Sequence, residues 1–177
     1  MNKTQITRII FLILSIITAL IIFMFSSENG EKSGNTSRNV VKNIIEIIPS
    51  TKNLSNEEKE NIIENSQLLV RKLAHFSIYA ILAFNVIGYI GTYNIENKKQ
   101  IILALIICII YAISDEIHQN FSEGRACSII DVGIDTCGSI FGILIMKIGS
   151  KITNKKVEKN NQTKNNHKSQ KQDKIRQ

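Results

Sequence analysis

The stretch IIFLILSIITALIIFMF, residues 9–25, decides the class of fold that this chain can adopt. It carries no charge, and its length approaches the roughly 20 apolar residues that a helix needs to cross a bilayer. The mean hydropathy of the whole chain, +0.02, averages such stretches with polar blocks. We therefore predict an integral membrane protein. Although Lys3 and Arg8 precede the stretch as in a signal peptide, no typical cleavage site follows, so we predict a retained first span over residues 8–26.

Three more apolar stretches predict an all-α fold with four transmembrane helices. The second span is predicted over residues 73–90 and the fourth over residues 129–148. In the third, the purely apolar part at residues 101–113 would rise only about 20 Å as a helix, which is short of a hydrocarbon core of about 30 Å. The helix must then continue through polar residues, and we predict a third span over residues 100–121.

The net charge of +7 lies mostly in the C-terminal tail, residues 149–177. Lys, Asn and Gln dominate this tail, and such a composition predicts disorder. Positive charge beside a span favours the cytoplasmic side, with anionic lipid head groups as partners rather than nucleic acid. The short N-terminus and the connection between the second and third spans carry the same excess of Lys and Arg. We therefore predict a membrane domain over residues 1–148 with both termini cytoplasmic.

The connection between the first two spans, residues 27–71, is nearly neutral and is predicted to be an extracytoplasmic helical segment. Within it, SRNVVKNIIEIIP at residues 37–49 places Val and Ile near one face of a short helix that Pro49 ends, at the membrane interface. Ser55-Asn56-Glu57-Glu58 then reads as a capping box that opens a second helix. Neither Gly nor Pro follows before Gly88, so this helix can continue into the second span.

This topology brings the ionisable residues of three spans to the outer leaflet. Residues three or four apart share a helix face, which predicts three polar stripes. The stripes are Arg71, His75 and Tyr79 on the second span; Tyr111, Asp115 and His118 or Gln119 on the third; and Asp131, Asp135, Gly138 and Gly142 on the fourth. Because small residues let membrane helices approach closely, the last stripe is predicted to point into the bundle.

At this end four carboxylates, Asp115, Glu116, Asp131 and Asp135, could meet the cations Arg71, Lys72, His75 and Arg125. Ionisable residues at membrane depth indicate a functional site, and a salt-bridge network that only fixes helix register is the alternative. The predicted functional cluster is Lys72, His75, Tyr79, Asp115, Glu116, His118, Gln119, Arg125, Asp131 and Asp135.

The chemistry of this cluster stays open from the sequence. Asp115-x-x-His118, with further His and Asp residues nearby, offers ligands suited to a divalent cation, but such pairs are common, and we predict no metal and no cofactor. Carboxylates at membrane depth also suit acid or base catalysis. The candidates for that role are His75, Asp115, Glu116 and Asp131.

The ordered combination of polar positions resembles a known pattern. The positions are Lys72-x-x-His75-x-x-x-Tyr79, then Asp115-Glu116-x-x-Gln119-x-Phe121-x-x-Gly124-Arg125, then Asp131-x-x-x-Asp135-x-x-Gly138. Together they resemble the VanZ-like family, which also carries a Ser-rich stretch similar to FSSENGEKS at residues 25–33. The family often has Pro where this chain has Glu123 and Asn where it has Asp135.

The resemblance covers about residues 8–148 and implies a small integral membrane protein of the bacterial envelope. It further implies a link to resistance against glycopeptide antibiotics of the teicoplanin type, and it implies no settled reaction. The residues add a location, because the topology places the shared positions on the outer face. Together with the resemblance, this predicts a multi-pass protein of the cell membrane whose cluster engages a cell-wall or envelope component there. A membrane enzyme that modifies a lipid-linked or polymeric envelope substrate is one alternative, and a structural bundle with internally paired charges is another.

Overall fold

The computed structural model describes residues 1–51, 53–122 and 124–176, with side chains up to residue 156 and at residues 159 and 162. This described part is built of helices and contains no β-strand. Its α-helices are α1 at Lys3–Ser26, α2 at Gly30–Ile47, α3 at Asn56–Ile90, α4 at Asn97–Gln119 and α5 at Ile129–Arg176, with a short 3₁₀ helix at Pro49–Thr51.

Four of these helices are long and apolar enough to cross a membrane: α1, α3, α4 and the part of α5 at Ile129–Lys156. Large apolar side chains such as Leu20 and Ile110 are exposed on their outer faces, as contact with lipid requires. The predicted all-α fold with four spans is therefore confirmed. The side of the membrane on which each end lies stays a prediction.

Three helix boundaries differ from the predicted ones. Helix α2 begins at Gly30, several residues earlier, because the Asn29 side chain accepts a hydrogen bond from the Lys32 N–H at 2.8 Å and caps it. Helix α4 ends at Gln119 rather than at residue 121. Helix α5 continues to Arg176, where the composition predicted a disordered tail, and Lys and Gln are good helix formers. The chain divides into two compact units, 1–143 and 144–177, and the predicted domain boundary after residue 148 stays a prediction.

Helix α3 runs without interruption from the connection into the second span, as its sequence indicated. The Ser55 hydroxyl accepts from the Glu58 N–H at 3.2 Å, and the Glu58 carboxylate accepts from the Ser55 N–H at 2.8 Å. This reciprocal pair satisfies two of the N–H groups that a helix start leaves without partners. The capping box therefore fixes where α3 begins.

Helix α2 packs on the first half of α3. Val41 and Ile45 are buried against Ile63, with Val70 partly buried beside them. Neighbouring apolar residues of α2, including Ile44, are exposed. The predicted single apolar face is thus divided between a face that contacts α3 and one that is free to contact the membrane interface.

The two ends of the bundle differ in chemistry. At one end Arg8 donates to the Thr92 hydroxyl at 3.1 Å, and its guanidinium lies 3.9 Å from the ring centroid of Tyr93, which joins the start of α1 to the α3–α4 connection. At the other end Gln119 of α4 donates to the Ser26 hydroxyl of α1 at 3.4 Å. We call this second end, where α1 and α4 finish and α5 begins, the polar end.

Helices α3 and α5 approach each other closely through the glycine stripe. A Cβ atom on Gly138 would overlap the backbone carbonyl of Phe76, and one on Gly142 would overlap that of Ala80. The stripe predicted to point into the bundle therefore contacts α3. Since Asp135 lies one turn before Gly138 on α5, the same contact brings it to His75.

Candidate functional site

Three helices each contribute one ionisable side chain to the centre of the polar end. His75 from α3, Asp115 from α4 and Asp135 from α5 offer nitrogen or oxygen atoms that all lie within 4.8 Å of one another. His75 Nδ1 is 3.5 Å from Asp135 Oδ1, and Asp135 is fully buried. Tyr79 is also fully buried, and its hydroxyl lies beside Asp115. We call these four residues the central cluster.

The structure decides between His118 and Gln119, the two residues that the polar stripe on the third span left open. Gln119 Nε2 donates to Asp115 Oδ2 at 3.0 Å and is buried. His118 instead turns to α1, where its ring stacks on Phe23 at 4.5 Å between centroids and its Nε2 lies 3.0 Å from the Ser27 hydroxyl. Gln119 therefore contacts Asp115, whereas His118, also a member of the predicted functional cluster, contacts α1. The Tyr111 hydroxyl likewise donates to a carbonyl of α1, that of Ala19, at 2.6 Å.

The start of α5 holds two of the predicted carboxylates. Glu116 Oε2 accepts from the Ser128 N–H at 2.9 Å, and the Ser128 hydroxyl accepts from the Asp131 N–H at 3.4 Å, as an N-cap does. Lys72 Nζ lies 4.0 Å from Asp131 Oδ1. A helix N-terminus attracts negative charge nearby, and both carboxylates lie where that attraction acts.

A tight turn places Arg125 at the rim of the central cluster. Gly124 adopts a φ of 74°, which favours glycine, and it lies so close to Gly30 that a Cβ there would overlap the Gly124 carbonyl. Arg125 Nη2 donates to the Phe25 carbonyl at 3.4 Å. Burial lowers the pKa of Arg125, and the neighbouring Arg71 guanidinium lowers it further. Glu123, one of the two departures from the family pattern, lies outside the described residues.

Two cavities meet at the rim of the central cluster. The first, of about 170 Å³, is lined on its polar side by Arg71, Lys72, His75, Arg125 and Asp131, and we call it the basic cavity. The second, of about 210 Å³, has largely apolar walls and shares Arg71, His75 and Arg125 with the first. We call it the apolar cavity.

The sequence analysis missed polar partners that α1 and the start of α5 supply. Ser26 meets Gln119, and its backbone carbonyl accepts from the Ser122 hydroxyl at 3.2 Å. Ser128 holds Glu116, as described above. The sequence did single out the region of Ser26, because Ser26 belongs to the FSSENGEKS stretch. No spacing within that stretch, however, indicated a contact with Gln119, which lies 93 positions away.

The central cluster can serve as an ion-pair network or hold a cation. A tetrahedral divalent metal with ligands at about 2.1 Å separates them by roughly 3.4 Å, close to the 3.5 Å between His75 and Asp135. Asp115 fits this less tightly, since the three ligand atoms spread over as much as 4.8 Å and Gln119 already donates to one Asp115 oxygen. His75 is flanked by two carboxylates, an arrangement that also orients an imidazole for proton transfer.

The four apolar helices and the ionisable cluster within them define a multi-pass helical membrane protein. The model of the VanZ/LLP1 family matches residues 11–150. The chain therefore belongs to the VanZ/LLP1 family, which confirms the resemblance stated from the polar motifs. Comparison with the curated proteins and with the solved structures finds no match.

Proposed function

We propose that this protein acts in the bacterial cell membrane and lowers susceptibility to teicoplanin-type glycopeptide antibiotics through the central cluster at its polar end. Membership of the VanZ/LLP1 family supports the envelope role. One observation carries the assignment to this cluster. Asp135 is fully buried, and its Oδ2 has no partner among the described residues, while its Oδ1 lies 3.5 Å from His75 Nδ1.

Buried polar atoms without hydrogen-bond partners favour a binding site over an ion-pair network that only holds the helices in register. Besides this Asp135 oxygen, Glu116 Oε1 is buried without a hydrogen-bond partner in the described part of the chain. Each such group costs about 1–3 kcal/mol when nothing compensates its lost hydration. A purely structural network would be expected to satisfy its members, whereas a binding site leaves groups for its ligand.

The proposed orientation places both termini in the cytoplasm and the polar end outside, where glycopeptides meet the cell. The basic N-terminus, the basic α3–α4 connection and the basic C-terminal segment support it through the positive-inside bias. It also places the helical segment of α2 and the first half of α3 outside.

Cysteine labelling in whole cells tests this orientation. Cys127 is exposed in the connection between α4 and α5, whereas Cys108 is buried within α4. Because Cys137 is also exposed, the test uses a Cys137→Ser background. An impermeant maleimide is expected to label the Cys137→Ser variant in intact cells and to leave the Cys127→Ser/Cys137→Ser variant unlabelled. Labelling of Cys127 only after the cells are opened would overturn the orientation.

Substitutions in the central cluster and in the basic cavity beside it test the role of the polar end in tolerance. Asp115 belongs to the central cluster, and Asp131 lines the basic cavity. Asp115→Asn and Asp131→Asn keep the shape of each side chain and remove its charge, so each is expected to bring teicoplanin tolerance down to that of cells with an empty vector. The measurement is the minimum inhibitory concentration in a susceptible host, with membrane abundance quantified by immunoblot. Wild-type tolerance in both variants at normal abundance would reject the site.

A membrane enzyme acting on a lipid-linked or polymeric envelope substrate is the second candidate. The observation that favours it is His75, which lies between Asp115 and Asp135 and also lines the basic cavity. In this role His75 would transfer a proton while the carboxylates orient its ring. The enzyme differs from the first candidate in requiring a covalent change in an envelope component.

A further inference from the structure

Two arginines at the polar end, Arg71 and Arg125, line the same two cavities, and the carboxylates of Asp115, Glu28 and Glu116 act on Arg125 from beyond ion-pair distance. Within the residues that the structure describes, no carboxylate forms an ion pair with Arg71 or Arg125. The Arg125 atoms Nε and Nη1 are buried and have no hydrogen-bond partner in that same part of the chain. Like charges held together and partly desolvated repel each other, so the pair is stabilised when an anion lies between them.

The other charged groups of the basic cavity are already engaged. Lys72 and Asp131, both of which line it, face each other at 4.0 Å. His75, a third lining residue, pairs with Asp135 behind the wall. What remains for a ligand is therefore the guanidinium groups of Arg71 and Arg125, including the unused donors Nε and Nη1 of Arg125, and their planar shape matches the oxygens of a phosphate.

The apolar cavity gives the ligand a second property. It opens on the other side of the same three residues, Arg71, His75 and Arg125, and its walls include Ile22, Phe25 and Ile78. Its one carboxylate among the described lining residues, Glu28, forms an ion pair with Lys32 at 2.8 Å. A molecule that fills both cavities must therefore carry an anionic head and a hydrocarbon chain.

From this juxtaposition we infer that the polar end binds a lipid phosphate, with the phosphate between Arg71 and Arg125 and the first part of its hydrocarbon chain against Ile22, Phe25 and Ile78. The inference rests on the proposed function, because it names the ligand class of the same site. An anionic lipid of the surrounding membrane and a lipid-linked envelope precursor share this chemistry.

Equilibrium binding of radiolabelled farnesyl phosphate to the full chain in a neutral detergent tests the inference. Wild-type protein is expected to bind saturably. Arg71→Gln and Arg125→Gln are each expected to weaken binding about 10- to 100-fold, the range for losing a charge-assisted hydrogen bond. Arg38→Gln is the matched control, since Arg38 has the same charge and pairs with Glu60 outside both cavities. Unchanged affinity in both cavity variants would overturn the site.

Two competitors distinguish the contribution of the phosphate head to binding from that of the hydrocarbon chain. Farnesol, which lacks the phosphate, and inorganic phosphate, which lacks the chain, are each expected to compete at least about 10-fold more weakly than farnesyl phosphate. Equal competition by inorganic phosphate would overturn the lipid assignment, and equal competition by farnesol would overturn the role of the arginines. Arg71→Lys and Arg125→Lys keep the charge if the Gln variants do not fold, and an intermediate affinity is expected because the planar fork is lost.

Binding and tolerance fail independently. If the Gln variants lose farnesyl phosphate while Asp115→Asn and Asp131→Asn keep wild-type tolerance, the lipid site stands and the proposed function fails. If Asp115→Asn and Asp131→Asn abolish tolerance while the Gln variants bind as wild type, the proposed function stands and the lipid inference fails.

Discussion

Gly142→Leu is expected to leave almost no folded protein in the membrane, whereas Gly133→Leu leaves its amount and its apparent Tm near those of wild type. Both glycines lie on α5, so helix propensity changes equally in the two variants. At Gly142 even a Cβ atom would overlap the Ala80 carbonyl of α3, while nothing lies within 4 Å of a Cβ at Gly133. The difference between the variants therefore reports the α3–α5 contact alone.

The expected loss is large because the obstacle is backbone. An added side chain that meets a flexible neighbour costs about 1–3 kcal/mol, and a carbonyl within a helix cannot turn away. The two helices must then separate, which also removes Asp135 from His75. Yield and monodispersity after detergent extraction, followed by thermal unfolding, measure the effect. A Gly142→Leu protein as abundant and as stable as Gly133→Leu would show that α3 and α5 do not pack through this stripe.

The second large effect is expected from the His75–Asp135 pair. His75→Leu alone leaves the buried Asp135 carboxylate without its partner, and breaking a buried pair in this way costs about 3–5 kcal/mol. The double variant His75→Leu/Asp135→Leu removes both charges and keeps an apolar volume similar to the original. It is expected to recover most of the lost stability, because replacing both members of a buried pair is often neutral or favourable.

Teicoplanin tolerance is not expected to recover together with stability in the double variant. We expect both the single and the double variant to confer no more teicoplanin tolerance than an empty vector, although the double variant is folded and abundant. Thermal unfolding of the extracted protein and the minimum inhibitory concentration are measured on the same set. A double variant that restores tolerance together with stability would show that the His75–Asp135 pair only stabilises the fold. That result would favour the structural bundle with internally paired charges.

Hydrophobic periodicity and helix geometry were enough to predict the four spans and the end at which the polar residues meet. The length of the apolar part of α4 was decisive, since a helix too short to cross had to carry Asp115 and Glu116 into the membrane. The glycine stripe was predictable for the same kind of reason, because its spacing placed small residues and Asp135 on one face.

The partners of individual side chains could not be predicted in this way. Residues at i+3 and i+4 lie on either side of a helix face, so spacing alone could not choose between His118 and Gln119. The packing of α1 made that choice, since Phe23 and Ser27 take His118 and Ser26 takes Gln119. Contacts of this kind join positions about 90 residues apart, and no local pattern encodes them.

The most direct measurement of the central claim compares variants of two histidines that the sequence placed in one predicted functional cluster. His75→Ala removes the member of the central cluster that faces Asp135, and His118→Ala removes a ring that contacts only α1 among the partners described above. At equal membrane abundance, we expect His75→Ala to bring teicoplanin tolerance down to the level of an empty vector and His118→Ala to keep it within twofold of wild type. Equal tolerance of the two variants would contradict the assignment of function to the central cluster.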